Sequence, residues 1–308
     1  LWNAARFCEM NGCTLNPAFK PDGNKHVINR WIISELAMAS RKTAAALDAY
    51  RFNDAATHIY QFAWGTFCDW YIEFTKPLLN GADEGVKKEV RETTGWVLDR
   101  LLLLLNPIMP FLSEELHAHL TGKEGLSPDK NDWLMTQAWP VFKDSDIDAA
   151  AQDEMNWVVK LISEIRSVRA DMNVPAAAKI KMLLKGAAPA NAARLEKYNG
   201  IICRLARLEE AAAFDGLVPK GAIQIVLNEA NVLLPIADVI DIGQERARLQ
   251  KEIEKVTQNI DKINKMLSNP GFIAKAPEEV VEEQRETMRD AESARAKLAQ
   301  ALKQIEAA

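Results

Sequence analysis

The chain has 308 residues, 48% hydrophobic and 26% charged, an ordinary globular composition with room for two domains or for one large domain and an extension. No apolar run approaches the roughly 20 residues of a membrane-spanning helix; the four cysteines (Cys8, Cys13, Cys68, Cys203) and four histidines show no metal-ligand spacing, so no metal site is expected and the thiols are read as reduced, cytoplasmic ones. The net charge of -5 argues against a protein that coats nucleic acid over its whole surface, but residues 155–208 carry ten basic and three acidic side chains, and local fields acting within about 10 Å leave RNA open as a partner.

Residues 1–145 read as helices throughout. Leu1-Trp2-Asn3-Ala4-Ala5-Arg6 has the character of a helix interior and not of a signal peptide, so the chain is expected to be a piece of a longer one. Asn29 is the expected N-cap of the next helix, with Ile28 and Ile33 as its hydrophobic staple. After a turn at Tyr50-Arg51-Phe52, Asn53 is expected to cap a helix carrying Ile59, Phe62, Ala63, Phe67, Trp70 and Phe74, which Pro77 ends. A third helix holds Val86, Val90, Val97, Leu98, Leu101, Leu104 and Leu105; Asn106-Pro107 stops it and Pro110 starts a short one through Leu120. Amphipathic helices with modest loops predict an up-and-down bundle.

The acidic, alanine-rich stretch from Lys143 to Glu154 is expected to mark a boundary. Beyond it a helix runs from Met155 to about Met172, Lys179–Leu184 reads as a strand, and Ala190–Leu208 reads as helix. Ile223–Leu227 and Val232–Ile236 flank a short turn and predict a hairpin. In the last part, Leu249, Ile253, Val256, Ile260, Ile263 and Leu267 alternate spacings of four and three, the seam of a coiled coil. Asn269-Pro270-Gly271 breaks the helix, and Val281, Gln284, Met288, Ala291, Leu298, Leu302 and Ile305 repeat the pattern in a second. Two such helices are expected to fold back on each other, on their own contacts, as an arm reaching roughly 37 Å. The predicted fold class is mainly α: a helical bundle (1–145), a small α/β module (146–242) and a C-terminal antiparallel two-helix coiled coil (243–308).

Tyr50-Arg51-Phe52-Asn53-Asp54-Ala55-Ala56, continuing to Phe67-Cys68-Asp69-Trp70-Tyr71-Ile72-Glu73, is similar to the anticodon-domain signature of the valine, isoleucine and leucine synthetases. Asn106-Pro107-Ile108-Met109-Pro110-Phe111-Leu112-Ser113-Glu114-Glu115-Leu116 resembles a second signature, with Asn106 where His is usual and His117 where Trp is frequent. Ile162–Pro175 and Asn269–Pro277 resemble the valyl enzymes, as does a terminal coiled coil, and the cysteines of the isoleucyl zinc module are missing. The resemblance implies the C-terminal part of a bacterial-type valyl-tRNA synthetase: an anticodon-binding bundle, an α/β junction module and a tRNA-binding arm. Its implied partners are valine tRNA and the rest of its own synthetase chain, with no membrane and no DNA. Neither His-x-Gly-His nor Lys-Met-Ser-Lys-Ser, the ATP-binding sequences of that family, occurs, and nothing resembles its editing domain. No catalytic residue and no cofactor is therefore expected in this chain; ATP and Mg2+ are expected for the catalytic domain.

The resemblance points to Arg6, Phe7, Lys20, Lys25 and Arg30, around the first helix and the following loop, as anticodon contacts, solvated charge being the plainer reading of the cations. Lys160, Arg166 and Arg169, in the basic block, are candidates for the tRNA backbone, with ion pairs to Glu164 or Asp171 as the alternative. Arg248, Lys251, Lys255, Lys262 and Lys265 on the first arm helix are candidates for the tRNA elbow, against charge pairing between the helices at e and g positions. The aromatic set Trp31, Phe62, Trp64, Phe67, Trp70 and Tyr71 is read as core and not as a base-stacking platform. Two rivals remain at this stage: an isoleucyl or leucyl relative, and a helical coiled-coil scaffold that binds no RNA.

Overall fold

A computed structural model describes residues 1–122, 133–227, 230–237, 239–275 and 277–307, and divides the chain into two compact units, Leu1–Val159 and Lys160–Ala308. The first unit is helical: α1 (Trp2–Met10), α2 (Val27–Asp48), α3 (Phe52–Tyr60), α4 (Ile72–Leu79), α5 (Glu84–Leu105), α6 (Pro110–Leu120) and the opening turns of α7 (Ala149–Asp171). Its core gathers Trp31, Ile32, Leu36, Phe67, Tyr71, Phe74, Leu98, Leu101 and Leu102, large side chains of α2, α5 and the α3–α4 region that are fully buried. Gly95 of α5 permits a close approach, since a Cβ there would overlap the Thr14 carbonyl of the loop after α1.

Several local expectations change. His26, not Asn29, caps α2; Asn29 is fully buried and donates to Glu89 Oε1 at 2.9 Å. The same carboxylate accepts from the backbone N–H of His26 (2.8 Å) and of Lys25 (3.2 Å). An acid from α5 thus fills the role sought in a local cap, placing negative charge at the positive end of the α2 dipole. α3 begins at Phe52, so Asn53 lies inside its first turn with its side chain on Asp54. Pro77 does not end its helix, which continues to Leu79, two residues before an end where few further bonds are at stake.

Between α3 and α4 the helix continues through a widened π-type segment, Gln61–Tyr71, with the Ile72 N–H bonded to the Phe67 carbonyl five residues back. Phe62 and Phe67, five apart, are therefore both buried, as is Tyr71. The Tyr71 hydroxyl donates to Asn29 Oδ1 at 3.0 Å and lies 3.2 Å from the Thr94 hydroxyl, joining this segment to α2 and α5. The stretch 143–154 is not a bare linker: Asp148 accepts from the Ala151 N–H at 2.9 Å as the cap of α7 and pairs with Arg30 at 2.8 Å.

The second unit, α7 from Lys160 onward apart, comprises β1 (Ile180–Lys185), α8 (Pro189–Lys197), α9 (Asn199–Ala206), β2 (Leu208–Phe214), β3 (Ala222–Leu227), β4 (Ala230–Pro235), α10 (Ile242–Leu267), α11 (Pro270–Lys275) and α12 (Glu278–Ala307). The helical reading of 190–208 resolves into two helices. The alanine-rich strand β2 that follows has no apolar alternation to announce it, and it pairs parallel with β1. β1 also pairs antiparallel with β4, and β4 with β3, giving the order β2-β1-β4-β3. The expected β3–β4 hairpin is present; Asn228 and Glu229 of its turn lie outside the described residues, as does Ala276 at the arm tip.

α10 and α12 pack along each other, with Leu249, Ile260, Ile263, Val281, Ala301 and Ile305 buried. The arm does not stand on its own contacts alone. α12 also packs on β3, Arg248 donates to the Asp171 carbonyl at 3.3 Å, and Glu245 is buried at the root. No helix of the described residues is long and apolar enough to cross a membrane.

Candidate nucleic-acid interface

In the first unit α1 packs on α5 and α6, which holds Arg6 outward beside a cavity of about 340 Å³ lined by Trp2, Arg6, Glu9, Cys13, Leu116 and His119. Trp2 stands half exposed with its ring edge-on to His119, centroids 5.9 Å apart. Phe7 is half-buried one residue on, and its carbonyl accepts from the Asn11 side chain at 2.8 Å, closing α1. Lys20 and Lys25 are exposed on the loop leading to α2.

Arg30 requires a correction. Its Nε pairs with Asp148 at 2.8 Å and its Nη1 donates to the Lys25 carbonyl at 2.6 Å. The guanidinium thereby fastens the loop and α2 to the start of α7: two of its five N–H groups and its charge are committed within the fold, so it is not the free cation expected. The structure brings Lys25 and Arg30 together through that bond, whereas Arg6 belongs to the α1–α6 cavity.

Of the aromatic set, Trp31, Phe62, Phe67 and Tyr71 are buried and Trp70 is half-buried, but Trp64 is 56% exposed. It borders an apolar groove of about 330 Å³ with Tyr60, Leu105, Ile108 and Met109, whose lining holds no lysine or arginine. Sequence reasoning also passed over Tyr50 and Phe52 as candidate stacking residues. They form an exposed edge-to-face pair, centroids 6.4 Å apart, at the α2–α3 corner, where Tyr50 has φ 57°. The expectation treated them as turn residues because nothing local says which way a corner points.

Cys8 of α1 and Cys13 of the loop after it are both buried; the hydrogen bond with Cys13, then burial, pushes the Cys8 thiol well above its ordinary range. No group of His, Cys, Asp and Glu suited to a metal occurs among the described residues.

In the second unit Lys160 and Arg166 are exposed on α7, and Arg166 Nε donates to the Leu205 carbonyl at 3.0 Å. Arg169 is a second correction. It is 7% exposed and donates to the carbonyls of Ala178 (2.8 Å), Pro175 (3.2 Å) and Arg207 (3.3 Å), so it is not an extended surface cation of α7 but a buried one beside a cavity. Arg248 is a third. Glu245 and Glu252 (2.7 Å) clamp its guanidinium at the root of the arm, which raises its pKa and occupies the donors an elbow contact would need.

The four remaining arm lysines are arranged differently. Lys251, Lys255, Lys262 and Lys265 each follow a seam residue (Leu249, Ile253, Ile260, Ile263) by two positions. At about 100° per residue they lie on the face opposite the seam, at c and f positions and not at e or g. All four are exposed and none has a carboxylate at ion-pair distance among the described residues. They form a row of lysines along α10; exposed Glu254 and Asp261 border it at b positions, so the outward face carries four cations against two acids, a modest positive excess suited to a polyanion.

Two family profiles match the chain. One, described as the anticodon-binding domain of tRNA ligase, covers residues 29–184; the other, described as the valyl tRNA synthetase tRNA binding arm, covers residues 241–306. The chain is 43% identical over 305 residues to a valine--tRNA ligase of Caulobacter vibrioides, a match spanning 99% of this chain and 33% of that protein. A valine--tRNA ligase of Mesorhizobium japonicum is 44% identical over 99% of this chain and 32% of its own length, and one of Bradyrhizobium diazoefficiens is 39% identical over 100% and 35%. The chain thus spans about a third of the length of these curated relatives.

Proposed function

The chain belongs to the tRNA ligases that share this anticodon-binding domain, and on that premise we propose that it is the tRNA-holding portion of a valine--tRNA ligase of bacterial type. The first unit recognises the anticodon stem-loop of valine tRNA, with Arg6, Phe7, Lys20 and Lys25 as the contacting side chains. The arm meets the elbow of the same tRNA through Lys251, Lys255, Lys262 and Lys265. Adenylation of valine, with its ATP and Mg2+, and transfer to the tRNA belong to the remainder of the ligase polypeptide, the second partner of this chain. The ligase acts in the cytoplasm, and neither membrane nor DNA is a partner.

The observation that carries this reading is the lysine stripe. Four cations without carboxylate partners face away from the seam within the stretch that matches a tRNA-binding arm. The exposed acids Glu254 and Asp261 lie beside that row at b positions, but the four ammonium groups stay unpaired among the described residues and open to a phosphate backbone, and a gel shift decides between RNA and a protein-only scaffold. The test is a gel shift of the purified chain with valine, isoleucine and leucine tRNAs at two salt concentrations. Binding strongest to valine tRNA and weakening steeply with salt is the expected result. Absence of any shift at low salt sinks the RNA reading, and an equal preference for isoleucine tRNA sinks the valine assignment. The chain is also expected to show no valine-dependent ATP–pyrophosphate exchange.

A further inference from the structure

A cavity of about 360 Å³ between α7 and the α9–β2 junction is lined by three arginines, Arg166, Arg169 and Arg207, with Ala170, Ala176 and Ala206 as small wall residues. Arg169 is buried with carbonyls as its hydrogen-bond partners and no carboxylate at ion-pair distance among the described residues. Burial, then the neighbouring charge of Arg207, lowers its pKa from the ordinary value. A buried cation held by neutral dipoles leaves a net positive field in the space beside it.

Arg207 adds an independent observation. It occupies the left-handed C-cap position after α9, with φ 54°, where glycine or asparagine is the usual residue. A side chain there carries a steric cost that glycine avoids. The conformation turns its carbonyl toward Arg169 Nη1, while its own Nη1 donates to the Ala176 carbonyl. Arg207 is exposed and keeps further N–H donors beyond that bond. Arg166 is braced at the opposite wall by the Leu205 carbonyl at 3.0 Å. Three guanidinium groups, each oriented by a backbone oxygen, surround one opening.

We propose that Arg166, Arg169 and Arg207 form a binding site for a phosphate oxyanion, with Arg207 as its gripping residue. The planar guanidinium fork matches the spacing of two phosphate oxygens, while buried Arg169 supplies charge from behind. The phosphate is either a backbone phosphodiester of bound tRNA, which rests on the function proposed above, or a free phosphate, which does not.

Arg207→Gly tests the site, because it relieves the backbone cost while removing the grip. The complete chain and the variant are melted in chloride and in inorganic phosphate at equal ionic strength, and each is titrated with valine tRNA across a salt series. The variant is expected to melt at or above the parent temperature in chloride and to lose the additional stabilisation that phosphate gives the parent. If tRNA affinity also falls about five- to tenfold and the salt slope drops by about 1, the ligand is the tRNA backbone. If phosphate stabilisation is lost with an unchanged tRNA slope, the ligand is a free phosphate. Equal phosphate stabilisation of parent and variant, with an unchanged slope, overturns the site; failure of the parent itself to bind tRNA overturns the proposed function while the phosphate arm still decides the site.

Discussion

Replacing Lys255, Lys262 and Lys265 together by glutamine removes three charges from the outward face of α10 and leaves the seam with α12 untouched. All three are exposed and without ion pairs among the described residues, and glutamine has nearly the same helix propensity as lysine. The melting temperature should therefore move little, within the roughly 0.5 kcal/mol usual for surface changes. Each phosphate neutralised by a cation contributes about 0.9 to the slope of log K against log salt. Relative to 1 M salt this is worth about 0.9 log unit at 0.1 M, or about 1.2 kcal/mol per contact. From Lys255 to Lys265 the helix rises about 15 Å, enough to follow a phosphate backbone past more than one charge. One lost contact predicts about an eightfold loss of tRNA affinity at 0.1 M salt; three predict about 500-fold and a slope smaller by about 2.7. Filter binding of intact valine tRNA and of its isolated anticodon stem-loop from 50 to about 300 mM salt measures both quantities. Stem-loop affinity should stay unchanged. A slope within 0.3 of the parent's and an affinity within about twofold would show that the stripe touches no phosphate, and the elbow assignment would fall.

Arg6→Ala should weaken anticodon stem-loop binding by about 1–3 kcal/mol, the range for a lost base-edge contact; undiminished binding returns Arg6 to a surface charge. Tyr71→Phe deletes the hydroxyl that donates to buried Asn29 Oδ1 at 3.0 Å and should cost about 1–3 kcal/mol in urea unfolding, the penalty of an orphaned polar atom. Asp148 has its pKa lowered by the Ala151 N–H and by Arg30. A depressed folded pKa gives stability that is present above the unfolded value and lost as pH falls through the folded one. Asp148→Asn should therefore melt below the parent at pH 7, the gap closing in the acid range below 3.8; a gap that is constant with pH would mean that the carboxylate charge contributes nothing.

The coiled-coil seam was readable because its information is local: the spacing of Leu249 to Leu267 specifies both a helix and its buried face. The bundle helices were readable for the same reason. What escaped reading depends on partners distant in the chain. Asn29 looks like a cap until Glu89 arrives from α5, and Arg30 looks like a free cation until Asp148, 118 residues away, takes it. Arg169 and Arg248 followed the same pattern, one buried under carbonyls and the other clamped by carboxylates. The π-type segment was hidden because a spacing of five, Phe62 to Phe67, is indistinguishable in sequence from a break in a spacing of three and four. β2 was missed because Ala211, Ala212 and Ala213 favour helix by propensity, and only the pairing with β1 makes them strand. The lysine row was legible as a face as well, since its c and f placement follows from the seam register by counting two residues on; only its exposure and lack of ion pairs needed the structure.

The sheet order β2-β1-β4-β3 places β1 between its two later neighbours. During synthesis Ile180–Lys185 emerges with neither edge partner available; one edge waits for Leu208–Phe214, the other for Ala230–Pro235. Nearly all of the first unit has left the ribosome by then, so the second unit is the slower and more exposed one on the assembly line. β1 carries lysines at 181 and 185, and Lys181 is exposed, a charge that discourages a bare strand from pairing with another chain while it waits. The central strand thus carries its own protection through the interval that its position in the sheet imposes.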